Sequence, residues 1–179
     1  MSRIFIFITL FLIPIIFSCD KPKKTVMNCL STDFDTSTLQ INSENYKNVR
    51  GQLIYLPVYS NIPYLVDTTE YEFDMSAFVA IHNTDLKNSI KITKVLYFNT
   101  NGKIVCDFLN DETKILEPLS TVDYFIPYED KSGIGSNFLI EWISENPVNE
   151  PLIEAITINL KTYHSAAIVS NGKIIREIK

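Results

Sequence analysis

The sequence contains few of the residues on which most catalytic and cofactor sites depend. Its 179 residues include only five glycines, three cysteines and two histidines. A phosphate-binding loop needs closely spaced glycines that open a helix, and the one close pair, Gly133 and Gly135, precedes no helical pattern. A zinc site needs several His or Cys ligands at short spacing, whereas His82 and His164 are far apart in the chain. We therefore expect no cofactor and no metal centre.

Basic charge is also scarce. The chain has 16 Lys and Arg against 21 Asp and Glu, which gives a formal net charge of −5. A domain that binds nucleic acid typically carries a basic stripe or face. We therefore expect no nucleic-acid partner. A hydrophobic content of 46% in a chain of this length is enough for a folded core without disulfide support.

The amino terminus carries the clearest functional signal. Arg3 precedes an apolar run over residues 4–17, and the small Ser18 stands directly before Cys19. A positive start, a short apolar run and a small residue predict a signal peptide over residues 1–18, and the run is too short for a bilayer span. The ending resembles a bacterial lipobox. We expect a lipid on Cys19 that holds the protein to a membrane of the bacterial cell envelope. The alternative is an ordinary cleaved signal.

The rest of the chain divides into a tether and a domain. Residues 19–46 are mostly polar and predict a flexible tether, with a weak strand at 39–41. Residues 47–179 contain short alternating segments separated by turn residues and show no convincing helical period, with a loop predicted over 60–71. These segments predict an all-β fold. We expect an immunoglobulin-like β-sandwich of about seven to eight antiparallel strands, and a small β-barrel is the second choice.

Residues 90–109 predict a β-hairpin at the centre of this fold. Asn101-Gly102 between two apolar runs favours a two-residue type I′ turn, which would place Phe98 opposite Val105. A bulge near residues 93–94 would keep the apolar residues of the whole first strand on the core face. Asn171-Gly172 predicts a second hairpin turn near the carboxyl terminus.

Several segments of the domain resemble one known family. They are Val58–Ile62, Ile81–Asp85, Val95–Tyr97 with Gly102, Leu116–Pro118, Gly135–Trp142, Pro147–Ala155 and Ser170–Gly172. Together they resemble the bacterial domain-of-unknown-function family 3124 over roughly residues 50–175. The family is uncharacterised, so the resemblance implies the extent of the domain and adds no activity.

One loop is the best candidate for a binding site. Residues 128–137 combine oxygen-bearing side chains with two glycines, namely Asp130, Ser132, Gly133, Gly135 and Asn137. Such a loop could hold Ca²⁺ or a small ligand, and a solvated turn is the alternative. A catalytic triad of Ser60, His82 and Asp85 can be written down, but no Gly-x-Ser-x-Gly elbow supports it. We expect the protein not to be an enzyme.

Three further residue types have a structural and a functional interpretation. Cys106 is expected inward on the hairpin as a buried free thiol, with a disulfide to Cys29 as the alternative. Trp142 is expected in the core rather than on a ligand platform. Asp123 and Glu141 alternate outward and are expected on a solvated sheet face.

These features together predict a membrane-anchored envelope lipoprotein with a non-catalytic domain. The expected role is structural or partner-binding, with an unidentified envelope protein or glycan as partner. The alternatives are a hydrolase-like envelope enzyme, or a protein that binds Ca²⁺ or a small ligand through the loop at residues 128–137.

Overall fold

The structure is a computed structural model that describes residues 49–161 and 165–179. Within these ranges the chain forms twelve strands and no helix, which confirms the predicted all-β class. The strands are β1 (Arg50–Pro57), β2 (Asn61–Val66), β3 (Thr69–Asp74), β4 (Ser76–His82), β5 (Ile90–Phe98), β6 (Ile104–Asp107), β7 (Lys114–Leu116), β8 (Thr121–Ile126), β9 (Asn137–Ser144), β10 (Leu152–Asn159), β11 (Ala166–Asn171) and β12 (Lys173–Ile178). The predicted signal peptide and tether lie outside the described residues.

The strands form antiparallel sheets and do not close into a barrel. The larger sheet has six strands in the order β12-β1-β9-β5-β6, with β7 also pairing with β5. The second sheet has the order β11-β10-β4-β8, and β2 pairs with β3 as a separate ribbon. The small barrel, which was the second choice from the sequence, is therefore wrong.

The core lies between the six-stranded and the four-stranded sheets. Alternate residues of strands in both sheets meet in one cluster, and the innermost are fully buried. Members with no exposed surface are Leu56, Val58, Ala77, Val79, Ile81, Ile92, Val95, Tyr97, Cys106, Ile126, Phe138, Ile140, Trp142 and Ala155. Residues Val122, Tyr124 and Ile126 of β8 point inward as predicted. Burial of these apolar side chains is the main force holding the two sheets together.

The central hairpin forms at the expected place but with a different turn. The predicted bulge is confirmed, because the register between β5 and β9 shifts between Ile92 and Lys94. The turn, however, runs from the Asn99 carbonyl to the Gly102 N–H (2.9 Å), and of its residues only Gly102 has positive φ (73°). This is a three-residue loop ending in a left-handed glycine. It places Phe98 opposite Ile104 instead of the predicted Val105.

The loop predicted over residues 60–71 is wrong. Most of it belongs to the β2–β3 ribbon, which reverses direction where Asp67 adopts a φ of 56°. One face of the ribbon is acidic. The other face holds Tyr64 and Tyr71, whose rings stack 5.5 Å apart and are both exposed. The turn residues gave no hairpin signal, because Asp67-Thr68 lacks the glycine that usually marks one.

Gly172 joins the two sheets and is not a hairpin turn, which corrects the second prediction of that kind. The strand before it, β11, lies in the four-stranded sheet, and the strand after it, β12, lies in the six-stranded sheet. A Cβ atom at Gly172 would lie 2.6 Å from Cγ2 of Ile54 and 3.2 Å from the carbonyl oxygen of Ile153. The position needs glycine because two strands approach it closely, and its φ is not positive.

Candidate functional site

The predicted binding loop, residues 128–137, is held together by its own hydrogen bonds. Oδ2 of Asp130 accepts hydrogen bonds from the Tyr97 hydroxyl (2.8 Å) and from the Ser132 N–H (3.0 Å). Its Oδ1 accepts one from the Ser132 hydroxyl (3.0 Å). Asn137 Nδ2 donates to the Gly135 carbonyl (3.2 Å). The Asp130 carboxylate and the Ser132 hydroxyl, which were expected to bind a ligand, therefore already have partners within the fold.

Two residues from neighbouring segments fasten the same loop. The Thr100 hydroxyl donates to the Ser132 carbonyl (2.9 Å) and accepts from the Gly135 N–H (3.0 Å). Ser60 Oγ accepts from the Gly133 N–H (2.9 Å), and Gly133 has a φ of 94°. The loop therefore connects the tip of the central hairpin to the start of β2. This arrangement favours a structural role for the residues that the sequence singled out.

Burial and charge at this end of the molecule shift two pKa values. Burial, with the Asp130 carboxylate beside the hydroxyl, raises the pKa of Tyr97 to about 12. Desolvation opposes ionisation of Asp74, but hydrogen bonds from Lys131 and Asn61 outweigh it and hold its pKa below the usual value. Lys131 Nζ lies 2.6 Å from Asp74 Oδ1 and 3.1 Å from Glu72 Oε2. Tyr97 therefore stays protonated and Asp74 stays ionised near neutral pH.

A second polar cluster organises the opposite end of the sheets. Asn83 Nδ2 lies within 3.0–3.1 Å of the carbonyl oxygens of Asn88, Leu116 and Glu117. Asp85 accepts hydrogen bonds from the backbone N–H groups of Lys87, Asn88 and Asn149, which lower its pKa. Three of the segments that carry the family resemblance, at 81–85, 116–118 and 147–155, meet here. Asn83 and Asp85 hold their loops together.

The triad considered from the sequence does not assemble. Ser60 accepts a hydrogen bond from the Gly133 N–H and lies near the start of β4. Asp85 lies in the turn that follows the end of β4. The seven-residue strand between them spans about 23 Å. His82 lies on the outward face as expected, and its Nδ1 is 2.8 Å from Thr121 Oγ1. Its Nε2 is 3.8 Å from Glu154 Oε1, so the polar row that forms is Thr121, His82 and Glu154.

The outer face of the four-stranded sheet carries an exposed apolar row that the sequence analysis missed. It crosses all four strands through the pairs Phe125–Phe78, Phe78–Ile156 and Ile156–Val169. The exposed fractions are 39% for Phe125, 43% for Phe78, 44% for Ile156 and 62% for Val169. The two phenyl rings lie 4.8 Å apart. From the usual area of such side chains the row presents about 300 Å² of apolar surface.

The core and the sheet faces hold the remaining residues that the sequence singled out. Trp142 is fully buried in the core, as predicted, and its Nε1 donates to Gln52 Oε1 (3.2 Å). Asp123 is exposed as expected, but Glu141 is only 1% exposed, so its predicted place on a solvated face is wrong. Cys106 is buried, but it is disulfide-bonded, so the predicted free thiol is wrong.

Clusters of metal-binding side chains and membrane-spanning helices are both absent from residues 49–161 and 165–179. These ranges contain no group of three or more His, Cys, Asp or Glu side chains that could hold a metal ion. They also contain no helix that is long and apolar enough to cross a bilayer. An open cleft of about 220 Å³ lies between β5 and β9, lined by residues that include Lys91, Ile143 and Glu145. It contains neither the loop at 128–137 nor His82.

Comparison with known proteins identifies the family. The family described as "Protein of unknown function (DUF3124)" matches residues 34–175. The chain belongs to this family. The match confirms the resemblance drawn from the sequence and begins sixteen residues before β1, inside the segment that was expected to be a tether. No curated protein matches the chain. Among solved structures, the crystal structure of Thermotoga maritima 1070 aligns with a TM-score of 0.43 and 9% identity, covering 68% of this chain and 92% of that one.

Proposed function

We propose that this member of the family is a lipid-anchored protein of the bacterial cell envelope whose domain binds a protein partner and has no catalytic role. The observation that carries the proposal is the apolar row of Phe125, Phe78, Ile156 and Val169 on the outer face of the four-stranded sheet. A contiguous exposed apolar patch of this size commonly marks an interaction site. The anchoring part of the proposal rests on Ser18 and Cys19 at the end of the apolar run.

The chemistry of the row favours a protein surface over a glycan. Two of its four members, Ile156 and Val169, are aliphatic and branched, and they offer no flat ring on which a sugar can stack. Asp123 and Glu154 form the neighbouring row across the same strands. A partner with an apolar centre and a basic rim would complement both rows. About 300 Å² is well below the roughly 800 Å² per partner of a stable complex, so we propose a transient contact.

We also propose that the two sheets form an immunoglobulin-like β-sandwich. Support comes from the single apolar core that the two sheets share and from the position of Trp142 within it. Sandwiches of this class present loops at both ends and flat sheet faces on both sides. A flat outer face is suited to docking another surface and is poorly suited to enclosing a substrate.

The contact can be tested in the envelope of a cell that makes the full chain. A photoreactive phenylalanine analogue at position 78 should give a discrete crosslinked protein band after irradiation. The same analogue at position 103, an exposed lysine at the hairpin tip, is the matched control and should give none. The substitution Val169→Asp should abolish the adduct formed at position 78. An adduct that survives this substitution, or that forms equally at position 103, would refute the proposed face.

The anchor has a separate test. Cells fed a palmitate analogue should label the wild-type chain but not the Cys19→Ala variant. An unlabelled wild-type chain would contradict the lipid assignment while leaving the sheet-face proposal standing.

A second candidate function has one observation in its favour. Thr121 Oγ1, His82 and Glu154 lie in line on the outer sheet face, which is the order of a nucleophile, a base and a carboxylate. Strand β4 is paired on both sides over this stretch, so the sheet occupies the backbone N–H groups that an oxyanion hole would need. Hydrolysis of a panel of ester substrates that disappears in Thr121→Val would favour an enzyme, and the same low rate in both proteins would exclude this triad.

A further inference from the structure

The β2–β3 ribbon has two outer edges, and no other described strand pairs with either of them. Its side chains are well exposed, with exposed fractions of 71% for Leu65, 51% for Val66 and 46% for Tyr71. A strand edge without a neighbour presents backbone N–H and C=O groups to which a further strand can bond. The direction of these groups decides which edge can accept one.

The hydrogen bonds inside the ribbon fix this direction. At the base of the ribbon, the Met75 N–H donates to the Ser60 carbonyl (2.9 Å). In an antiparallel ladder, hydrogen-bonded pairs alternate with pairs whose backbone groups point outward. Along the register of the ribbon, the pair of Tyr64 with Tyr71 is therefore hydrogen-bonded. The pairs on either side of it direct their backbone groups toward the two outer edges.

The outer edge of β2 is interrupted by a proline. Its outward positions include Pro63 and Leu65. Pro63 has no N–H to donate, and proline within sheets is confined to edge positions of this kind. Proline on an edge is one of the devices that protect a strand from pairing with another chain. The outer edge of β2 is therefore disfavoured as a pairing site.

The outer edge of β3 keeps its donors and acceptors. Its outward positions are Glu70, Glu72 and Asp74. The Asp74 carbonyl accepts a hydrogen bond from Asn159 Nδ2 (2.6 Å), which agrees with its outward direction and ends the open stretch at the base of the ribbon. Glu70 and Glu72 each offer one N–H donor and one C=O acceptor to an incoming strand.

The side chains beside this edge define what matches it. On one face, Glu70 and Glu72 are exposed, and 60% of the Glu72 side chain is accessible. On the other face, Tyr71 stacks on Tyr64 with 5.5 Å between the ring centroids. Residues directly opposite each other in a sheet share a face. An incoming strand therefore meets a carboxylate at one position and a tyrosine ring at the next, so alternating basic and apolar side chains match this edge.

We propose that the outer edge of β3 binds an extended segment of a partner protein by strand addition, and that basic and apolar side chains alternate along this segment. Backbone hydrogen bonds to Glu70 and Glu72 supply the attachment. Charge supplies the selectivity, because a like charge directly opposite a carboxylate is destabilising. Lys131 already binds Glu72 and Asp74 at the base of the ribbon (3.1 and 2.6 Å). A basic residue of the segment is therefore best placed opposite Glu70, nearer the tip.

The same charges argue against two other occupants. A second copy of this chain would bring its own Glu70 and Glu72 to the edge, and the like charges would oppose each other. A bilayer could take up the exposed Leu65 and Val66 at the tip. Asp67 lies beside them in the turn, and an anionic lipid surface repels its charge together with that of Glu70.

The contact is tested by hydrogen–deuterium exchange in the full chain, with a short synthetic peptide in which lysine and valine alternate. Bound peptide should slow exchange of the Glu70 and Glu72 amides about tenfold, because their N–H groups become hydrogen-bonded. N-methylation of one alternate set of peptide nitrogens should abolish this protection, and N-methylation of the other set should preserve it. Only one set faces the edge of β3.

The charge requirement has a matched pair of variants. Glu70→Lys should weaken binding of the peptide about fivefold, because it places a like charge opposite lysine. Glu112→Lys makes the same change of charge at an exposed position between β6 and β7 and should change binding less than about twofold. Trp142 fluorescence verifies that each variant is folded, and Glu70→Gln is the milder replacement if Glu70→Lys is not.

Four results would overturn the proposal. The first is unchanged exchange of the Glu70 and Glu72 amides with peptide at about 1 mM, the weak end of specific binding. The second is equal binding of the two N-methylated peptides, and the third is an equal loss in Glu70→Lys and Glu112→Lys. The fourth is slow exchange of the same amides without peptide, either at high protein concentration or with phosphatidylglycerol vesicles, which would assign the edge to a second copy or to a lipid surface. The crosslink at position 78 does not depend on this edge, so either proposal can fail alone.

Discussion

The hydrogen bond between Gln52 and Trp142 gives the most informative test of the core. Gln52 is only 2% exposed. Its Oε1 accepts from the indole N–H, and its Nε2 donates to Glu150 Oε1 (2.9 Å) and Glu177 Oε1 (3.3 Å). We consider the substitution Gln52→Leu, which keeps the size of the side chain and removes all three hydrogen bonds.

The expected loss can be worked out from these contacts. An indole N–H left buried without an acceptor costs about 1–3 kcal/mol, and the bonds to the two carboxylates contribute about 1 kcal/mol more. The additional apolar surface of leucine offsets about 1 kcal/mol. The net destabilisation is about 2 kcal/mol, which for a domain of this size lowers Tm by about 8 °C.

The assay is urea unfolding of the wild-type chain, Gln52→Leu, Trp142→Phe and the double variant, followed by circular dichroism. Phenylalanine has no N–H to leave without a partner, so Gln52→Leu should cost about 1 kcal/mol less in the Trp142→Phe background than alone. Fluorescence of Trp142, the only tryptophan, provides a second probe for the two proteins that retain it. An equal cost in both backgrounds, or a cost below about 0.5 kcal/mol, would refute the assignment of this bond to the stability of the core.

Three other predictions test separate features. Glu141→Met should stabilise the fold by about 1 kcal/mol, because Oε2 of Glu141 is buried without a hydrogen-bond partner among the described residues, and this cost exceeds the gain from the bond that Oε1 accepts from the Thr93 hydroxyl (2.7 Å); a lower urea midpoint than wild type would contradict this. Gly172→Ala should lower the urea midpoint, because the new Cβ would lie 2.6 Å from Ile54 Cγ2, whereas Gly102→Ala, with nothing within 4 Å of its Cβ, should lose only the cost of its positive φ. Asp74→Asn should make stability less dependent on pH. The pKa of Asp74 is lowered in the fold, so its contribution is present above the unfolded pKa of about 3.9 and disappears as pH falls through the folded pKa. The loss of stability caused by Asp74→Asn should therefore be larger at pH 7 than at pH 3, and an equal loss at both pH values would exclude this linkage.

Local patterns predicted the strands well where one face meets the core. Ile92 and Val95 have opposite parity in the sequence, and the only way to bury both was a bulge, which the structure contains. The same reasoning placed Trp142 in the core. These positions were predictable because an apolar side chain facing the other sheet has no alternative environment at comparable free energy.

The errors arose where a distant part of the chain decides the environment. Asn171-Gly172 has the composition of a hairpin turn, but its strands lie in different sheets, and Gly172 is required by Ile54 and Ile153. Glu141 alternates outward as predicted, yet its burial depends on what covers that face. Neither fact is contained in the residues beside these positions.

The candidate sites, like the fold, were predicted well from local sequence and poorly where distant residues take part. The side chains of Asp130, Ser132 and Asn137 were correctly grouped in one loop, but Thr100 and Tyr97 bind the same loop and lie some thirty residues away. The apolar row from Phe125 to Val169 was missed because each strand contributes only one member. Only the register of four strands brings them into line.

The pairing of β1 with β12 joins the first described strand to the last, with Gly51 opposite Ile178. The six-stranded sheet therefore cannot be completed until the final residues of the chain are available. Contacts between such distant residues slow folding, because the loop between them must be closed first. If the chain is exported before it folds, as we propose, slow closure of this sheet would leave it more time to cross the membrane unfolded.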